Sequence, residues 1–258
     1  MLGGAAHIAV WAPTGRSAER SSYFRPMCRR SGIREPEGMT HELTAIRPTP
    51  PTHRTRKRAW LVPIGLVLLS LVPVIAGAAR LTELTLGAEI TPSNARFFAS
   101  PIPVVAHIIG ATVFCVLGAF QFVPQLRRRH GGWHRLAGRI VLPAGVIAGL
   151  SGMWMAVFYT RPELDMVVRL VFGSAMVASL VLALRAVLRR DIRRHRAWMI
   201  RGYAIGIGAG TQVFTALPWV IANGGAAPGP TTAVALLAAG WVINLAVAEV
   251  VIRRSSLT

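Results

Sequence analysis

Acidic residues are scarce in this chain: ten Asp and Glu stand against 29 Lys and Arg, a formal net charge of +19. None of those acids lies deep in an apolar run, which argues against a proton-coupled carrier of the kind that relies on an intramembrane carboxylate. Cysteine is nearly absent, with Cys28 and Cys115 alone. Two thiols cannot build a disulfide framework, so Cys115 reads as a small apolar packing residue. The sequence also has no zinc-type ligand spacing, no phosphate loop and no nucleophile motif, so ordinary hydrolase or pump chemistry has no support.

What is abundant is apolar length. A membrane-crossing helix needs about 20 mostly apolar residues, because the hydrocarbon core is ~30 Å thick. Six windows meet that need: Trp60 to Ala79, Ile102 to Pro124, Ile140 to Thr160, Met166 to Leu188, Trp198 to Ala222 and Thr231 to Ile252. Stretches such as Leu61 to Ala79 are apolar around nearly the whole helix, with no polar stripe for water. The expected fold is all-α, a polytopic six-transmembrane-helix bundle over residues 60–252. Residues 1–59 form a basic tail without apolar periodicity, read as disordered, and 253–258 a short C-terminal tail. Residues 1–38 are expected to fall outside the mature product, with Met39 as the start.

Arginine sets the orientation. Arg54, Arg56, Lys57 and Arg58 precede the first span, and Arg127, Arg128, Arg129, Arg135 and Arg139 lie between the second and third. Arg189, Arg190, Arg193, Arg194 and Arg196 separate the fourth and fifth, and Arg253 and Arg254 follow the sixth. The alternate connections carry Glu83, Glu89, Glu163 and Asp165 or, from Asn223 to Pro230, no charge. Positive flanks stay on the cytoplasmic side, so both termini are expected inside, in a cell inner (plasma) membrane. The same arrangement accounts for the basic charge through topology and anionic lipid headgroups and gives no reason to invoke nucleic acid.

Three groups of residues carry the functional expectations. The two arginine-rich hairpins look alike: Trp133-His134-Arg135-Leu136-Ala137-Gly138-Arg139 and Arg194-His195-Arg196-Ala197-Trp198-Met199-Ile200-Arg201. Cations at a helix entrance are mildly unfavourable unless an anion is shared there, so Arg135, Arg139, Arg196 and Arg201 are candidates for a headgroup or cofactor anion. His134 and His195, placed just ahead of their spans, could share a metal if spans three and five are neighbours. On the far side, His107 and Arg169 lie within spans two and four, with Gln212 and Thr211 as partners or, alternatively, snorkelling to the interface. Glu249 is expected to pair with Arg253 one turn on. Lastly, Gly202, Gly206 and Gly210, with Gly145 and Gly149, leave bare ridges that suit close helix packing, or a flat ring laid on the backbone.

The run His107 to Gly110, Gln121-Phe122, His134-Arg135-x-x-Gly138-Arg139 and His195-Arg196-x-Trp198-Met199-x-Arg201 together resemble the bacterial predicted membrane proteins grouped as domain of unknown function 2306. The resemblance covers about His107 to Gln212 and implies a multi-pass membrane domain without an assigned reaction. A looser similarity is to six-helix b-type cytochromes, which would imply haem b between His134 and His195, with the arginines holding propionates, and exchange with a quinone. The leading expectation is a membrane binding or scaffold protein using its basic His/Arg rim on lipid or a membrane protein partner. The alternatives are a haem- or quinone-linked redox protein and a small-molecule transporter.

Overall fold

The computed structural model describes residues 53–123, 126, 131–159 and 162–256, with side chains from Trp60 onward. The expectations for residues 1–52, including Cys28, His7, His41 and the Met39 start, lie outside the described residues, as do the Pro124 and Thr160 ends of two spans. Eight helices and no strand occur among the described residues: α1 (His53–Leu86), α2 (Ala95–Ala99), α3 (Pro101–Phe120), α4 (Gly131–Phe158), α5 (Glu163–Leu188), α6 (Ile192–Gly206), α7 (Gly208–Ala222) and α8 (Pro230–Ser256). By length and composition α1, α3, α4, α5 and α8 can each cross a membrane, and α6 with α7 makes a sixth span bent by 44°.

The helices close into a ring. α1 packs on α3, α3 on α4, α4 on α5, α5 on α6, α6 on α8, α8 on α7, and α7 returns to α1. Phe114, Val141, Leu180 and Tyr203 form the centre and are almost wholly buried. Leu61, Ile64, Leu68, Ile75, Phe214 and Val247 are exposed on the outside, as expected where lipid, equally apolar, is the solvent.

Glycine makes this closeness achievable. A Cβ on Gly145 would come 2.5 Å from the Phe114 ring, and one on Gly202 would come 2.9 Å from Leu180. At Gly210 it would run into the Leu69 carbonyl of α1. The bare ridges therefore serve helix packing, and large side chains from facing helices fill them.

Three expectations about the spans change. The first helix continues two turns past Ala79 to Leu86, where Gly87 with φ 66° ends it. The third is helical already at Gly131, so His134, Arg135 and Arg139 stand within helix α4, and His195 and Arg196 likewise fall in α6. The fifth span is broken rather than continuous, at Ile207 between Gly206 and Gly208. Two glycines around one residue weaken the helix there, and the rest of the explanation is lateral bonding described below.

Candidate functional site: a cavity beside the broken helix

The break leaves backbone carbonyls without their helical donors, which in lipid is costly unless something else binds them. Neighbouring side chains do so. Asn244 Nδ2 donates to Ala204 O at 3.0 Å, Trp241 Nε1 to Ile205 O at 3.1 Å, and Cys115 Sγ to Gly206 O at 3.6 Å. Thr211 Oγ1 in turn donates to Asn244 Oδ1 at 2.8 Å. Trp241 is fixed by stacking on Phe172, ring centroids 4.6 Å apart. Tyr203, one turn before the break, donates its hydroxyl to Cys115 O at 2.7 Å. Cys115 therefore does more than pack: its thiol and its carbonyl both hold the broken span.

Beside this break lies a cavity of about 220 Å³. Its walls include the Gly206 to Ile207 backbone, Trp241, Met153 and Met176, and its polar lining includes His107, Arg169 and Gln212. The structure thus brings together the two residues of the expected far-side site and one of their two expected partners, Gln212, on three different spans, while Thr211 bonds to Asn244 instead.

Each polar group is oriented. His107 Nδ1 is 2.9 Å from Ala148 O. A carbonyl can only accept, so Nδ1 carries the hydrogen and, in the neutral ring, Nε2 carries the lone pair. Gly152 keeps room for the ring, since a Cβ there would come 3.2 Å from His107 Cε1. Arg169 Nε donates to both Asp165 oxygens at 3.0 Å. Arg169 is therefore ion-paired with Asp165, one turn earlier on the same helix, in place of simple snorkelling, through Nε and not through its terminal nitrogens. Gln212 Nε2 donates to Leu237 O at 3.2 Å, which leaves Oε1 as an acceptor.

At the arginine-rich end the expected site residues are more dispersed. His195 Nδ1 lies 2.9 Å from Ala183 O, binding the last turns of α5, and Asp191 caps α6 through Arg194 N at 2.9 Å. Arg196 reaches Ser255 Oγ at 3.3 Å. Arg201 is engaged twice, by Glu249 (Nε to Oε1 2.6 Å, a terminal nitrogen to Oε2 3.1 Å) and by the Trp198 ring at 4.7 Å. The chief partner of Glu249 is thus an arginine on another helix, and the expected Arg253 pairing along α8 takes second place to it. The fork geometry of a guanidinium on a carboxylate explains the preference. Arg135 and Arg139 lie near the start of α4, and α4 and α6 each pack far more on other helices than on one another, so the helices that carry His134 and His195 are not close neighbours. No group of three or more metal-type ligands occurs among the described residues.

Reading the sequence alone missed Trp241, Cys115 and Asp165 as parts of this region. The i,i+4 spacing of Asp165 and Arg169 was a usable signal. Trp241 and Cys115 gave none, because their roles depend on a helix break that no Pro marks.

A ring of apolar helices, five of them long enough to cross a membrane and a sixth span bent at Ile207, is the architecture of a multi-pass integral membrane protein. Residues 104–252 match the family model described as Predicted membrane protein (DUF2306), and the chain belongs to that family. The match extends beyond the His107 to Gln212 stretch that carried the resemblance, and includes α8. No curated protein and no solved structure matches the chain.

Proposed function

We propose that this chain is a membrane-resident binding protein whose principal site is the cavity beside the broken helix. One observation carries the reading: His107 and Arg169 line a cavity among membrane-length helices, and His107 Nε2 and the terminal nitrogens of Arg169 hydrogen-bond to no described residue. Polar groups inside a membrane span are costly to maintain, and those left unmatched by protein are the ones a ligand can match. The basic rim plays a supporting part, holding anionic headgroups at the cytoplasmic face through Arg135, Arg139, Arg189 and Arg193. That Arg201 is already matched by Glu249, and that α4 and α6 are not close neighbours, supports this role for the rim over a haem held by His134 and His195.

A second reading, transport, draws support from the break itself. Discontinuous helices lining a polar cavity are the usual frame for a carried solute. Both readings need an occupied cavity. Organic extracts of the purified protein, analysed by mass spectrometry, are expected to contain a small molecule that is lost in Met153→Trp, which fills the cavity. An extract identical in the two proteins would contradict the reading, and flux in proteoliposomes, lost in the same variant, would select transport.

A further inference from the structure

The polar lining is specific about what can enter, and this deepens the binding reading on which it rests. His107 Nε2 offers only a lone pair, because Nδ1 spends its hydrogen on Ala148 O at 2.9 Å. Arg169 offers only donors. Its charge is already balanced by Asp165 at 3.0 Å, so the acceptor it meets need not be an anion. A matching molecule therefore presents a hydroxyl to His107 and a second oxygen to Arg169, and needs no charge to do so.

Shape narrows the class further. Trp241, Met153 and Met176 form part of the remaining wall. An indole and polarisable thioethers favour a flat ring. An apolar protein cavity of about 150 Å³ accommodates benzene. The 220 Å³ here suits one ring with small substituents.

We propose that the cavity is a site for an uncharged, single-ring hydroxylated aromatic, a phenol or quinol, whose hydroxyl donates to His107 Nε2 and whose second oxygen accepts from Arg169.

Saturation-transfer NMR on the full chain in lipid nanodiscs tests this with 4-methoxyphenol and its methyl ether, 1,4-dimethoxybenzene, each corrected against empty nanodiscs. The ether keeps the ring and the acceptors and loses the donor. Wild type is expected to bind the phenol at least tenfold more tightly than the ether, the ratio falling toward one in His107→Phe, while Arg169→Gln weakens both probes. Equal binding of the two probes to wild type would overturn the hydroxyl assignment, and the comparison needs no variant to fold. A preference that persists in His107→Phe would overturn the role of His107. If neither probe binds, the aromatic class is wrong; a small molecule still found in wild-type extracts and lost in Met153→Trp would then leave the broader binding reading standing.

Discussion

Phe114 of α3 is clamped between two glycines, its ring 2.5 Å from where a Cβ on Gly206 of α6 would stand and at the same distance from one on Gly145 of α4. Side chain and bare backbone are complementary shapes here, so the three helices share one contact. Enlarging either glycine must displace the ring. Gly206→Ala and Gly145→Ala are each expected to cost about 1–3 kcal/mol, the usual range for overpacking, and Phe114→Leu should recover part of it in Gly145→Ala. Thermal unfolding in detergent, followed by circular dichroism, measures this; unchanged midpoints would refute the clamp.

The ion pair between Arg201 and Glu249 is half-exposed, and it joins α6 to α8. Glu249→Gln keeps the shape and removes the charge, and is expected to cost roughly 1.5–3 kcal/mol, the range for hydrogen bonds to charged groups. Glu249→Ala in combination with Arg201→Ala should cost less than the sum of the single changes. Strict additivity in that cycle would show the two residues to be uncoupled.

The donors at the broken span make a graded series. Trp241→Phe retains the ring and removes the hydrogen bond to Ile205 O, for an expected loss of about 1–2 kcal/mol. Asn244→Leu removes two bonds, to Ala204 O and from Thr211, and is expected to cost more than Trp241→Phe. Amide hydrogen exchange should quicken around Ile207 in both variants and stay unchanged near Val141. Uniform exchange across the bundle would count against local anchoring.

Orientation is testable by labelling. In a background with Cys28→Ser and Cys115→Ala, Ala226→Cys should react with an impermeant maleimide on intact cells, and Ser255→Cys only after permeabilisation. This follows from the arginine bias of the connections, and the reverse pattern would invert the topology.

Gln121 caps α3 with its side-chain nitrogen buried and without a hydrogen-bond partner among the described residues. Leaving such a donor unmatched costs about 1–3 kcal/mol. Gln121→Met, similar in shape, is therefore expected to raise the unfolding midpoint. A lowered midpoint would show that the amide serves the structure.

The spans were legible because apolar length is a one-dimensional property. So were the residues His107, Arg169 and Gln212, since a polar group within an apolar run stands out by itself. Their convergence on one cavity was not legible, as it depends on which faces of α3, α5 and α7 turn inward. The break at Ile207 was hidden for a related reason: Gly206 and Gly208 belong to a ridge that reads as packing, and the side chains that stabilise the broken backbone come from α3 and α8, far along the chain. Glu249 was misassigned because sequence spacing favours the neighbour one turn away, while the guanidinium fork of Arg201 arrives from another helix.

Helix α8 has a consequence for biosynthesis. It binds the first half of the broken span through Asn244, Trp241 and Glu249, and the second half accepts its help through Gln212 and Thr215, whose side chains donate to Leu237 O and Leu236 O. Each half has 15 residues, about 22 Å of helix, too short to cross the hydrocarbon alone. The fifth span is thus a passenger until the last one is made. Ribosome-bound chains arrested before Pro230 are expected to keep α6 and α7 cross-linked to the insertion machinery, with release once α8 emerges; release before that point would show that the broken span settles in lipid unaided.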